Sequence, residues 1–388
     1  MKPRIAFCNE DFMSTRGGVS VLVEELIQGL SDRYRIVLAS RDAPGALPSY
    51  LVPHVEDHIS IDKSAALPAG RMPFADALKR REVALAHFHL PGVYGWGTRL
   101  PRHSPIPFVK QAGIATVATC HMATSLLRGY CGDFRPAWFR LLLLPRSWTA
   151  KFNALRHLDA EIAVSRRNEA QLRSWYFPVR DRFRLIYHSR LRASDIVASA
   201  SLREKAILAV GHIAFRKGQP VLIKAFAGIA DRFPDWKLWL VGHFAEEACR
   251  VAVEEEIRAS GLGGRIELLG RREDAADWMK RAGVYVQPSL SEGLPLSLQE
   301  ALACGCPCVA TRIPGNDELV EEGENGLFVP ANDASAMGRA LARLLENTAL
   351  RESLSARAPG SILARKMSYE SMLAAHCALY DSILSRRA

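Results

Sequence analysis

The strongest constraint on this chain is an alternation that runs through it twice. In the first half, short apolar runs rich in β-formers (RIAFCN, YRIVLAS, VALAHFH, ATVATCH, AEIAVS) are separated by longer stretches, of which SVLVEELIQGLSD has helical period. The second half repeats the habit with AILAVGH, KLWLVGH, RIELLG, VYVQPS and PCVAT. Its intervening helices are QPVLIKAFAGIADRF, ACRVAVEEEIRASG, DAADWMKRAG, PLSLQEALACG and SAMGRALARLLEN. Strands apolar along their whole length, separated by helices, are the pattern of parallel sheets covered on both faces. At roughly 100–200 residues per domain, two domains are expected. The predicted class is therefore α/β, with two doubly wound parallel-sheet domains. The polar stretch His188 to Lys205 is the expected junction. The spans are a first domain over 1–188, a hinge over 189–204, a second domain over 205–366, and a helix over 367–388 that packs back on the first domain.

Charge narrows the partners. The net charge is +10. Residues 1–200 carry 28 Lys+Arg against 17 Asp+Glu, and the remainder carries 23 against 24. A basic half beside a neutral one points to an anionic partner, either nucleic acid or a membrane surface. From Arg99 to Lys151 there are eight basic residues and one acid, Asp133. Within this lies FRPAWFRLLLLPRSWTAKF, Phe134 to Phe152. Such a mixture suits an element in a membrane interface, or a buried helix with arginine ends. The charge of the whole half favours the membrane. No run of about 18 apolar residues is present, so no spanning segment is expected. MKPRIAFCNE turns polar at once and lacks a signal peptide's apolar core, which predicts a cytoplasmic chain. Eight cysteines in that compartment are expected as free thiols.

Ligands of open parallel sheets bind beyond the carboxyl ends of the strands, so the loops after each strand carry the chemistry. In STRGGVS, Gly17 and Gly18 precede a helix. They fit either a phosphate approaching bare backbone or a tight turn. In AVGHIAFRKGQP, Arg216 and Lys217 stand at a helix start, where they oppose the helix dipole. A bound anion or a solvated basic turn accounts for them equally. The stretch SEGLPLSLQEALACGCPCVAT puts Glu292 in a loop and Glu300 on the following helix, read as Pro295 to Cys304. The acids are then offset by about 7.5 Å along the axis and could touch different parts of one extended ligand. Backbone N–H groups near Gly293 and Leu294 are available to a phosphate. Cys304, Cys306 and Cys308 lack zinc-site spacing and read as packed thiols. His87 and His89 read as structural residues at a strand end.

Together these residues resemble the retaining glycosyltransferases of family 4, also called glycosyl transferase group 1, which have the GT-B fold. PSLSEGLPLSLQEALACGCPCVAT is similar to the family signature, with Glu292 and Glu300 as its E-x₇-E pair. ILAVGHIAFRKGQPVLIKAFAGIADRFPDWKLWLVG, NGLFVPANDASAMGRALARLLEN and TRGGVSVLVEELIQGL are similar to its donor-domain opening, its C-terminal portion and its N-terminal glycine loop. The resemblance implies two Rossmann-like domains facing across a cleft. It implies that Arg216 and Lys217 neutralise the donor diphosphate, and that Gly17 and Gly18 lie against it from the first domain. Glu292 would hold hydroxyls of the transferred sugar, beside the backbone of Gly293, Leu294, Pro295 and Leu296. Glu300 would bind the ribose, and Gly270, Arg271 and Arg272 would meet the base. His121 is similar to the family's acceptor-side histidine, near the reacting sugar carbon.

The resemblance thus implies transfer of a hexosyl-type sugar from a nucleotide-diphosphate sugar to a glycan or lipid-linked acceptor, with retention of configuration. Lipopolysaccharide or other cell-surface polysaccharide synthesis is the expected setting, at the inner face of the plasma membrane. No metal and no cofactor are expected, and no Asp-x-Asp occurs in the sequence. The family's usual arginine is replaced by His212, and its NGVD element reads YHSRLRASD, Tyr187 to Asp195. Two rival readings are a nucleotide-sugar epimerase or phosphorylase on the same fold, and a basic nucleic-acid-binding protein. Sugar transfer to an added acceptor separates the first. No interleaved stacking aromatics or basic module supports the second, so nucleic acid is not an expected partner.

Overall fold

The computed structural model describes residues 2–9, 12–13, 18–61, 68–89, 104–121, 148–197 and 203–387. The chain divides into two compact units, Met1–Arg190 with Glu370–Ala388, and Leu191–Tyr369. The expected hinge over 189–204 is thus shared: Ser189 and Arg190 go with the first unit and the rest with the second.

The first unit is built on strands β1 (Arg4–Asn9), β2 (Arg35–Ser40), β3 (Asp57–Ser60), β4 (Val83–His89), β5 (Ala115–Cys120), β6 (Ala160–Ala163) and β7 (Phe183–Leu185). They form one sheet in the order β3-β2-β1-β4-β5-β6-β7, with every neighbouring pair parallel. Ile5 to Asn9 are all buried, because helices cover both faces of the centre of the sheet. The helix Gly18–Leu30 turns Leu22, Val23, Leu26, Ile27 and Leu30 inward at helical spacing. A further core gathers Ala86, Phe88, Val109, Ala118, Leu155 and Phe183. β3 and β7 were not among the expected strands. Both lie at sheet edges; β3 has no buried residue, and β7 is only three residues long, too short to stand out as an apolar run.

Most of the stretch assigned above to a membrane interface lies outside the described residues. Its end is core. Trp148 stacks on Phe152 at 4.9 Å and on Tyr176 at 5.8 Å, and its Nε1 donates to the carbonyl of Trp175 at 3.0 Å. Lys151 is 2% exposed and pairs at 3.0 Å with Glu161, itself fully buried. Among the described residues no helix is long and apolar enough to cross a membrane.

The second unit carries β8 (Glu204–Val210), β9 (Lys237–Val241), β10 (Ile266–Gly270), β11 (Ala282–Gln287), β12 (Cys308–Thr311) and β13 (Gly326–Val329). Their order is β10-β9-β8-β11-β12-β13, again all parallel. β11 is buried along its whole length. The helix after it covers Leu296–Ala303, with Pro295 extended at its cap, and so begins one residue later than predicted. Gly305, at φ +67°, turns the chain just past its end. Cys306 and Cys308 are fully buried and Cys304 is 7% exposed; burial pushes the Cys306 thiol up to about 12. Thr348–Ala364 is an unforeseen helix that runs through Pro359.

Both sheets reverse their order beside their first strand. The switch points fall between β1 and β4, and between β8 and β11. The loops leaving those strands are where ligands of this architecture collect.

Candidate functional site

At the switch point of the second unit, the two flanking loops are locked together. The chain leaves β8 into a single helical turn, Phe215–Lys217, closed by Gly218 at φ +74°. A Cβ on Gly218 would sit 2.0 Å from the carbonyl oxygen of Pro288, so only glycine lets the turn lie on the end of β11. The Leu290 N–H donates to the carbonyl of Arg216 at 2.8 Å. Pinned in this way, Lys217 Nζ lies 2.7 Å from Glu292 Oε1, and Arg216 Nη1 lies 2.6 Å from the carbonyl of Ser291 and 3.5 Å from Glu292 Oε2.

Glu292 is 6% exposed. Its Oε1 also accepts from Ser289 Oγ at 2.6 Å and from Gln287 Nε2 at 2.9 Å. Burial pushes its pKa up, but Lys217, Arg216 and the Ser289 hydroxyl outweigh that and hold it below the usual carboxylate range. Behind it the network continues inward. Tyr285 OH donates to Gln287 Oε1 at 2.7 Å, and Thr311 Oγ1 donates to the Ser289 carbonyl at 2.5 Å. Gly315, at φ +92°, presses the next loop onto Gly293, leaving no space for a Cβ. The result is a fixed anion flanked by two cations at the start of a helix with no side-chain cap. Sequence reasoning missed Tyr285, Gln287, Ser289 and Thr311. Their one visible signal was the polar Gln and Ser at the end of an apolar strand.

Beside this cluster, His212 packs on His243 with ring centroids 4.3 Å apart. Burial, then the charges of His243, Lys217, Arg216 and Arg271, hold His212 below the usual imidazole range.

The first unit gathers histidines. His87 and His89 end β4, His121 follows β5, His188 lies beyond β7, and His376 comes from the helix Tyr369–Leu384. Successive ring centroids are 4.2 Å (His87–His89), 5.2 Å (His89–His121), 5.4 Å (His121–His188), 6.2 Å (His188–His376) and 5.8 Å (His376–His87), so the five close a ring. His89 Nδ1 and His121 Nε2 share a hydrogen bond of 2.9 Å. His87 is held by Tyr380 OH at 2.6 Å and by Thr119 Oγ1 at 2.7 Å. Burial lowers every member, His121 and His376 to about 4. Among the described residues, no three His, Cys, Asp or Glu side chains are arranged to hold a metal ion.

Two sequence families match, in tandem. Glycosyltransferase Family 4 covers residues 16–189, and Glycosyl transferases group 1 covers residues 194–360. The chain belongs to the group 1, family 4 glycosyltransferases. This family 4 chain is 35% identical over 152 residues to an uncharacterized glycosyltransferase of Haemophilus influenzae, covering 39% of the chain and 42% of the relative. It is 39% identical over 140 residues to a phosphatidyl-myo-inositol mannosyltransferase of Mycobacterium leprae, with coverages of 35% and 36%. It is 29% identical over 200 residues to the lipopolysaccharide core mannosyltransferase LpcC of Rhizobium leguminosarum, with coverages of 50% and 57%. The chain therefore matches between a third and three fifths of the length of these relatives. In fold it is similar to Anabaena HepE solved with UDP (TM-score 0.76, 19% identity, 98% of this chain and 100% of that one). It is also similar to WaaG, a glycosyltransferase involved in lipopolysaccharide biosynthesis (0.69, 16%, 92% and 94%). The GT-B architecture of two parallel-sheet α/β domains is thereby established.

In the family 4 chain the remaining expected residues are placed as follows. Gly18 opens the helix Gly18–Leu30, and Gly17 lies outside the described residues. Gly270 ends β10 at φ +65°. Arg271 and Arg272, both exposed, pair with Glu273 at 3.1 Å and Asp274 at 3.0 Å. Gly293 and Pro295 are buried, Leu294 and Leu296 partly so, and Glu300 lies half-buried on the helix that Leu296 opens. Arg216, Lys217 and Glu292 form one cluster.

Proposed function

We propose that the chain is a retaining hexosyltransferase that uses a nucleotide-diphosphate sugar and a glycan or lipid-linked acceptor, in lipopolysaccharide or other surface polysaccharide synthesis. The observation that carries this is the Lys217–Glu292–Arg216 cluster, held rigidly at a sheet switch point. Breaking a sugar–phosphate bond builds negative charge on the departing diphosphate. Fixed cations and a helix N-terminus stabilise that charge more in the transition state than in the ground state. Glu292 keeps both cations in place, with its second oxygen 3.5 Å from Arg216, and would accept from sugar hydroxyls there. Glu300 takes the ribose, and Arg271 and Arg272 border the base. No metal is needed where Arg216 and Lys217 carry the charge, and the leaving phosphate serves as base on the face it vacates. Transfer in mannosyltransferase relatives such as LpcC supports the pathway class. The basic first half supports contact with an anionic membrane at the inner face of the plasma membrane.

The test begins with hydrolysis of a nucleotide-sugar panel, followed by calorimetry with the matching nucleoside diphosphate. Lys217→Ala and Glu300→Gln should each weaken its binding about ten- to hundredfold, the worth of one charge-assisted hydrogen bond. Wild-type affinity in both would remove the donor-site assignment. Transfer should persist in excess EDTA. Loss that Mg²⁺ or Mn²⁺ restores would overturn the metal-free mechanism.

A further inference from the structure

The ring of five histidines leaves one question of chemistry open: which nitrogen of His121 carries its proton. His121 is the member placed after β5 and half-buried, while His87, His89, His188 and His376 are buried. Its Nε2 is engaged with His89 Nδ1 at 2.9 Å. The working nitrogen of His121 is therefore Nδ1, and its role as donor or acceptor is set by the direction of that one bond. A neutral imidazole carries a single N–H, so the two directions are exclusive.

The back of His89 decides between them. Its Nε2 is buried and has no hydrogen-bond partner. The ring stacks on Phe7, centroids 5.9 Å apart at 29°. If His121 donated, His89 would carry its proton on this Nε2, as a buried N–H with nothing to accept it. If His89 donates from Nδ1, Nε2 holds only an unused lone pair. An orphaned buried N–H is the rarer and costlier of the two. The same cluster supplies a precedent. His376 Nδ1 meets the carbonyl of Met372 at 2.8 Å, and a carbonyl can only accept, so the proton of His376 is on Nδ1. Its other nitrogen, Nε2, is also buried and unpartnered, and is therefore bare.

We propose that His89 is a positioning residue that fixes the tautomer of His121: Nδ1–H of His89 donates to Nε2 of His121, so His121 presents a neutral Nδ1–H donor to an oxygen of the substrate. The substrate atom is then a hydroxyl or phosphate oxygen that accepts, and His121 is not a base that removes a proton through Nδ1. Protonation of His121 would turn an Nε2–H against the Nδ1–H of His89, and burial, which lowers His121 to about 4, keeps it neutral at physiological pH. The tautomer stands on the histidine geometry alone. Its use toward substrate rests on the glycosyltransferase reading above.

The experiment is long-range ¹H–¹⁵N correlation of the imidazoles in the full chain labelled with ¹⁵N-histidine, with His121 assigned by the signal lost in His121→Gln. Wild type should show His121 protonated at Nδ1 and bare at Nε2. The reverse pattern overturns the proposal with no variant required. His89→Asn retains an N–H donor near the Nδ1 position and should preserve the His121 pattern. His89→Asp offers only acceptors and should move the proton of His121 to Nε2 and raise its pKa. An unchanged His121 in a folded His89→Asp variant also overturns the proposal. Sugar transfer from the donor identified above, measured alongside, should fall about ten- to hundredfold in kcat for Asp and much less for Asn. If the tautomers behave as stated and no variant or wild type transfers sugar, the functional reading fails and the His89 assignment stands.

Discussion

Glu292 receives Lys217, Ser289 and Gln287 on one oxygen, which makes it a keystone of the second unit in addition to the substrate contact proposed for it. Glu292→Gln keeps the shape and removes the charge. Lys217 then loses its ionic partner in a largely buried position, and the unit should lose about 1–3 kcal/mol. Urea unfolding of the two proteins measures this, and equal midpoints would mean the cluster is preassembled by packing alone. Glu292, Arg216 and Lys217 were legible in the sequence because each sits in a loop that follows a strand. Gln287 and Ser289 were not, since a polar residue at a strand end reads the same whether it faces water or a buried carboxylate. His87, His89 and His121 were legible singly, and His376 was not. What closes them into a ring is the return of the chain's last helix to the first sheet, which residue spacing cannot express.

At the scale of elements, the close approach of the Phe215–Lys217 turn to β11 is set by one glycine. Gly218→Ala combines a left-handed backbone with a Cβ 2.0 Å from the Pro288 carbonyl oxygen. It should cost on the order of 1–3 kcal/mol and displace both cations, lowering thermal stability and nucleotide affinity together. Gly264→Ala, with open space around it, is the control and should change neither. The helix over 148–155 and β6 are joined through the buried pair Lys151–Glu161. Removing either partner alone strands a charge and should cost about 3–5 kcal/mol, whereas Lys151→Met with Glu161→Leu should recover most of it. A double-mutant cycle in denaturant gives the answer, and additive losses would argue against a coupled pair. The central strands were readable because both their faces are covered. β3, β7 and β13 escaped because they are short and lie toward or at sheet edges, and the helix Thr348–Ala364 escaped because Pro359 reads as a breaker.

At the scale of the whole molecule, the histidine ring gives the two units different responses to acid. Each ring member has a folded pKa below its unfolded value near 6.5, so the unfolded chain binds protons first as pH falls. The contribution is complete above about pH 6.5. It is lost on acidification at up to about 1.4 kcal/mol per pH unit for each histidine, down toward the folded values, about 4 for His121 and His376. The first unit should therefore lose hydrogen-exchange protection between pH 7 and 5 while the second keeps most of its own. Parallel losses in both would show that the ring does not govern acid stability.

The first unit is discontinuous in sequence: its sheet is complete by Leu185, yet Tyr380 and His376 arrive only after the whole of the second unit. During translation, at roughly 5–20 residues per second, the interval between Arg190 and Glu370 is on the order of ten to forty seconds. Throughout it, His87 on a nascent chain waits without the tyrosine that holds it, and the surface destined for the helix Tyr369–Leu384 is uncovered. The second unit, continuous from Leu191 to Tyr369, has no such wait and can finish first although it is made later. Order of completion can thus run against order of synthesis in this chain, with the helix Tyr369–Leu384 closing the unit whose sheet was made first.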